Sequence, residues 1–265
     1  MTEIEYRSHP AISRSELFRI ADSPEKFIYR REHPEPPTEA LIFGQALHMS
    51  VLQPELYDDN FIVAPDVDRR TKAGKKIWNT FTDKIKGQTV ITYDMQDKIN
   101  RMTAKLNSNE YASRLLNGIR EEPVFWVDAL TGEECKCRPD CVSVINGMDF
   151  IVDIKTASNA DTETFMKHAL KYGYHLQAAM YSEGVKAATG KSCGFVFIVI
   201  EKDPPFAVNI MQADKLFIQY GYDVFRELIG IYHDCRINNN WYGYLGKFNV
   251  VNNLGIPAYL MKEVE

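Results

Sequence analysis

The chain has no apolar run approaching the roughly 20 residues that a bilayer-spanning helix needs. Its opening, MTEIEYRSHP, has neither the basic start nor the apolar stretch of a secretion signal. A cytoplasmic protein with no membrane partner is the expectation. Cysteine is sparse, with five in 265 residues. That odd number, and the crowding of Cys135, Cys137 and Cys141, argue against a disulfide framework. Their spacing also lacks the paired C-x₂₋₄-C of a zinc site, so they read as core thiols. Positive charge is in deficit: 31 Lys and Arg against 36 Asp and Glu give a net charge of −5. That disfavours a uniformly basic surface for nucleic acid. Internal repeats and low-complexity segments are also missing, and a composition 45% apolar and 12% aromatic excludes disorder.

The positive charge that exists is concentrated. Arg69, Arg70, Lys72, Lys75 and Lys76 fall in one stretch, RRTKAGKK, and Arg30-Arg31 forms a smaller one. A basic channel on an acidic body is compatible with this pattern, and so is a solvated loop followed by a helix start. Length permits one large domain or two. The reading is a single domain over 1–265, with a mainly helical part to about 110, a core over about 120–235 and a tail from 236.

Helical periodicity starts at Ser13 or Ser15 with Glu16 and breaks at Ser23-Pro24, where a second helix begins. It returns over Glu39–Leu52, which carries His48, and over Asp94–Leu106. Residues 61–88 read as a loop and a short helix. The period then changes to that of strands at Val124–Val127, Glu134–Ile145 and Phe150–Lys155, with Asn146-Gly147 as a two-residue hairpin turn. Helices at Asp161–Tyr172 and His175–Ala188, strands at Phe195–Glu201 and Ala207–Met211, and a helix from Asp214 to His233 follow. Tail residues Trp241, Tyr242 and Tyr244 show no period. This order predicts an α/β fold, a central mixed β-sheet flanked by helices.

The hairpin turn sets a register. If Ile145 faces Met148, Asp140 faces Asp153, and like charges directly opposed on antiparallel strands repel unless a cation lies between them. Alternation puts Lys155 on the Asp153 side, one pleat along, with Val152 and Ile154 turned to a buried face. Hard oxygen ligands suit Mg²⁺ or Mn²⁺, which polarise a phosphoryl oxygen and acidify water, while a lysine orients or deprotonates that water. The same spacing also fits two surface carboxylates neutralised by Lys155.

Arg138-Pro139-Asp140 followed by Asp153-Ile154-Lys155 resembles the PD-(D/E)xK nuclease superfamily and its restriction-endonuclease-like core. GQALH at Gly44–His48 resembles the G-x-x-x-H element of RecB-like nucleases, and QAAMY at Gln177–Tyr181 their Q-x-x-x-Y element. AISRSELFRIADSP at Ala11–Pro24, FIVAPDVDRRTKAGK at Phe61–Lys75 and KCRPD at Lys136–Asp140 are similar to the RecE family, the nuclease domains of exonuclease VIII. The resemblance implies a Mg²⁺-dependent 5′-to-3′ exonuclease acting at double-stranded DNA ends. It further implies a toroidal homo-oligomer, a tetramer, working with a RecT-type single-strand annealing protein in phage or prophage recombination. By motif, His48, Asp140, Asp153 and the Ile154 carbonyl would hold the metal. Lys155 would act on the attacking water, and Gln177 and Tyr181 would position the lysine or contact phosphate. Glu121 resembles an acid of lambda-type exonucleases, with Glu122 as its rival. Arg14 and Ser15 are candidates for a terminal 5′-phosphate, although a serine there also suits a helix cap. A structure-specific or restriction-type endonuclease, or a non-catalytic DNA-binding subunit, would share the fold.

Overall fold

A computed structural model describes Met1 and residues 3–256. Helices α1 (Glu3–Ser8), α2 (Arg14–Asp22), α3 (Pro24–Glu32), α4 (Glu39–Leu52), α5 (Tyr57–Asn60), α6 (Lys72–Thr82), α7 (Tyr93–Ser108) and α8 (Glu110–Leu115) fill the first half. Between them lie short strands β1 (Ile12–Ser13), β2 (Phe61–Val63) and β3 (Thr89–Ile91). The second half comprises β4 (Ile119–Arg120), β5 (Val124–Val127), β6 (Glu134–Cys137), β7 (Cys141–Ile145), β8 (Met148–Ala157), α9 (Thr162–Lys171), α10 (Tyr174–Thr189), β9 (Gly194–Glu201), β10 (Val208–Gln212) and α11 (Lys215–Asn238).

The central sheet has the order β10-β9-β8-β7-β4 and is mixed, because β8 and β9 run parallel while the other pairs are antiparallel. A second sheet orders β1-β6-β5, and β2 pairs with β3. The α/β arrangement expected from periodicity is therefore present. Its hairpin is too: Asn146 and Gly147 have φ of 51° and 79°. Positive φ at both central residues matches the right-handed strand twist and favours Asn-Gly. The ladder runs from Ile145↔Met148 to Cys141↔Val152, the register that the turn predicts.

Strand β8 is buried on both faces. Val152 and Ile154 enter a core with α4, α7 and Cys141, while Ile151 joins Phe195, Phe197 and α10 on the opposite side. A third core places Cys135 and Cys137 of β6 against α2, α3, α10 and α11. All three cysteines are buried and free, as core thiols. Fully buried aliphatic and aromatic side chains each stabilise by about 1.5–3 kcal/mol, so these cores hold the strand ends in place.

The structure corrects several boundaries. The expected strand Glu134–Ile145 is two strands in different sheets, parted at Arg138-Pro139-Asp140, because proline cannot donate to a ladder. Residues 61–63 form a strand rather than a loop, paired in parallel with 89–91; three residues are too few for alternation to show. Helix α11 continues past His233 to Asn238 and ends on Asn239 with a left-handed φ of 46°. Ser13, not Ser15, caps α2, its backbone N–H and hydroxyl both donating to Glu16. Residues 257–265 of the expected tail lie outside the described residues.

One close approach fixes how α2 meets the helices behind the sheet. Gly173, between α9 and α10, has φ of 68°, and a Cβ there would come within 2.6 Å of the Phe18 ring. Left-handed backbone costs a residue with a Cβ about 1–2 kcal/mol, and overpacking adds about 1–3. Gly173→Ala is therefore expected to destabilise the fold by at least about 2 kcal/mol, measured by denaturant unfolding. A change below about 0.5 kcal/mol would refute this packing.

Candidate metal centre

The site forms where β7 and β8 separate. Continuing their register beyond Cys141↔Val152 would set Pro139 opposite Ile154. Proline has no N–H to give, so the backbone of Ile154 takes side-chain partners instead. Its N–H donates to Asp140 Oδ2 at 2.6 Å, and its carbonyl lies 2.9 Å from His48 Nε2. The same imidazole approaches Asp140 with Nδ1 at 3.3 Å. Helix α4 delivers His48 because Ala46, Leu47 and Val51 bury its neighbouring face against the sheet.

Glu121 completes the cluster. One ligand atom each from His48, Glu121 and Asp140 lies within 4.8 Å of the others, a grouping unique among the described residues. Glu121 has φ of 53°, rare for a residue with a Cβ, and its N–H donates to the Asp140 carbonyl at 3.2 Å. Strained backbone of this kind persists where neighbours over-determine it. Arg138 Nε pairs with Glu121 Oε2 at 2.7 Å. Glu122 is exposed and lies outside this group.

Asp153 stands beside the cluster with different partners. Its Oδ1 accepts from Gln177 Nε2, and its Oδ2 meets Lys155 Nζ at 2.5 Å. No hydrogen bond of ordinary geometry reaches that buried Oδ2. Burial, with the Asp140 charge added, raises the Asp153 carboxyl above its usual range against the pull of Lys155. Burial also works to raise Asp140, but the charge and hydrogen bond of His48 prevail and lower it. His48 is the counterpart. Burial works to lower it, and Asp140 outweighs burial and raises it to about 9. The two carboxylates expected to share one ion thus differ: Asp140 faces His48 and Glu121, while Asp153 faces Lys155 and Gln177.

The donor set of carboxylates and one imidazole fits a hard divalent cation. His48, Glu121 and Asp140 would hold the ion, bordered by Asp153 and the Ile154 carbonyl.

The other sequence candidates are distributed as follows. Gln177 reaches Asp153 rather than the lysine. Tyr181 packs among core residues against Phe195, and the ring beneath Lys155 Nζ, at 4.8 Å, belongs to Tyr174. Arg14 donates to Gln177, whereas Ser15 is exposed beside Ser13. Arg69, Arg70, Lys72, Lys75 and Lys76 are exposed on α6 and the turn before it, with Arg70 paired to Asp68 and Arg69 stacked over Trp78. Sequence reasoning missed Tyr174 and the role of Arg138. Tyr174 lies three residues before Gln177, a helical spacing that puts both on one face of α10.

Comparison with known proteins bears on this geometry. The model of the "PDDEXK-like domain of unknown function (DUF3799)" matches residues 13–253. A crystal structure from Eubacterium rectale, described as a "Putative exonuclease", superposes with a TM-score of 0.66 at 17% identity, covering 100% of this chain and 99% of that one. At that identity the likeness concerns the fold. The crystal structure of SSO0001, at 14% identity over 72% of this chain and 86% of its own, reaches a TM-score of 0.32, too low to inform the comparison. No curated protein matches the chain.

The charge state of His48 gives the site a pH signature. An imidazole protonated up to about pH 9 must lose its proton to ligate a cation. Apparent Mn²⁺ affinity should therefore rise with pH, by up to about tenfold per unit, and level off near pH 9. His48→Gln should flatten this slope. Calorimetry in buffers of different ionisation enthalpy checks it, and a pH-independent affinity would exclude His48 as a ligand.

Proposed function

The chain belongs to the PDDEXK-like domain family of unknown function (DUF3799), and from that membership and the site we propose that it is a Mg²⁺-dependent nuclease. The reading in full is a 5′-to-3′ exonuclease that degrades one strand of duplex DNA from its end and leaves a 3′ overhang for strand annealing. The carrying observation is the convergence of His48, Glu121 and Asp140 beside the Asp153–Lys155 pair.

A divalent cation at this position would neutralise charge building on the phosphoryl oxygens and acidify the attacking water. The chain's own residues do the remainder. Glu121 and Asp140 supply negative charge, and His48 fills the third corner once its proton has left. Lys155 Nζ, held between Asp153 Oδ2 and the Tyr174 ring, orients the water and stabilises the transition state. Lys72, Lys75 and Lys76 on α6 are the proposed contacts to the DNA backbone, together with Arg69 and Arg70.

The exonuclease direction and the recombination role rest on the RecE-like segments Ala11–Pro24, Phe61–Lys75 and Lys136–Asp140. The same resemblance supports a closed tetrameric ring and a RecT-type partner. A ring would let a chain of net charge −5 stay on a polyanion by topology rather than by charge.

Digestion of end-labelled linear duplex with Mg²⁺, and with chelator, tests the proposal. Expected products are mononucleotides and a long single strand, while covalently closed circles survive; cutting of circles would replace this reading with an endonuclease on the same site. Asp153→Ala should abolish cleavage while the protein stays folded. Lys155→Ala should slow single-turnover cleavage by at least about a hundredfold with little change in DNA affinity measured in Ca²⁺. Lys155→Arg should not restore the rate, since a guanidinium keeps the charge but presents a different donor geometry. Near wild-type cleavage by Lys155→Arg would reduce the lysine to a point charge.

A further inference from the structure

Asp153 is 1% exposed and Gln177 4%, so the orientation of the Gln177 amide matters. Its Nε2 donates to Asp153 Oδ1, and its Oε1 accepts from Arg14 Nη2 at 2.8 Å. A glutamine amide can satisfy either kind of partner at either end, and flipping it costs little when its neighbours are indifferent. Here they are not. The guanidinium has donors only, so it holds Oε1 and leaves Nε2 for Asp153 Oδ1.

Arg14 is itself anchored. It opens α2, where Ser13 and Glu16 form the reciprocal cap. It donates through Nη1 to the Tyr172 carbonyl at 3.3 Å, and its guanidinium lies 5.8 Å from the centre of the Tyr174 ring. Phe18, one turn along the same helix, is seated against Gly173 just before α10. The start of α2 is thereby locked to the helix that carries Gln177.

We propose that Arg14 is a positioning residue: by fixing the Gln177 amide on Asp153 Oδ1 it leaves Oδ2 to Lys155, beside the cluster of His48, Glu121 and Asp140. This deepens the nuclease reading and rests on it for its catalytic consequence, but the effect on cation binding precedes any substrate. Without the guanidinium, Gln177 Oε1 loses the partner that holds it, and the side chain is free to swing away from Asp153 Oδ1, which then loses its donor. Partners that orient metal-site groups in this way are typically worth 10–100-fold in metal affinity or activity.

The test compares Arg14→Met, which keeps a long straight chain without a donor, with Arg14→Lys, which keeps one. Both are checked for folding by thermal unfolding, and Mn²⁺ affinity is measured by calorimetry without DNA. The expected result is a loss of about tenfold or more for Arg14→Met, with substantial recovery in Arg14→Lys. Cleavage kinetics should show the loss for Arg14→Met in kcat, with KM for DNA little changed. Wild-type Mn²⁺ affinity and kcat in Arg14→Met, with the defect confined to KM or to 5′-phosphorylated ends, would overturn the proposal and leave Arg14 a phosphate contact. Equal affinities of the Met and Lys variants would also overturn it. If the wild-type protein cleaves no DNA, the nuclease reading falls, while the difference in Mn²⁺ affinity still decides the positioning role.

Discussion

The site depends on a proline that cannot continue a ladder. At Pro139 the chain leaves the second sheet and enters the central one, and the strand opposite, β8, continues to Ala157 without it. A buried backbone N–H and C=O left without partners would each cost about 1–3 kcal/mol. At Ile154 that cost is avoided by Asp140 and His48, which take the backbone groups the ladder would have taken. The need to satisfy one parted peptide therefore gathers a carboxylate and an imidazole at a buried strand end.

Charge explains the rest of the cluster. Asp140 and Asp153 are both buried, at 7% and 1% exposure, and two bare carboxylates could not stay so close without counter-charges. The fold divides the counter-charges between them, an imidazolium for Asp140 and an ammonium for Asp153. The two ring nitrogens of His48 meet Asp140 and the Ile154 carbonyl, so the imidazole lies between two oxygens of the candidate metal centre.

The approach to the site is held at its far end by a second set of buried charges. Asp128 at the β5–β6 turn is clamped by Arg226 of α11, and Glu133 by His233 and Arg236. Breaking such a pair leaves a buried charge unpaired, so these contacts hold the strands that lead into Arg138-Pro139-Asp140. Arg138 then reaches Glu121, joining the second sheet to the candidate ligand set.

Sequence by itself determined the elements whose signals are local. Period located α4 and α7, Asn146-Gly147 set the hairpin register, and that register placed Val152 and Ile154 in a core. It also marked Asp140, Asp153 and Lys155 as one constellation. Tertiary structure decided what local signals cannot carry. It split residues 134–145 between two sheets and set Glu121, not Glu122, beside His48 and Asp140. It also separated the partners of the two aspartates and brought Arg14 across 163 positions to Gln177. Periodicity reports which face of an element is apolar, because burial repeats along the chain. Which polar group meets another across the core depends on helix packing and strand ends, and those distances leave no period in the sequence.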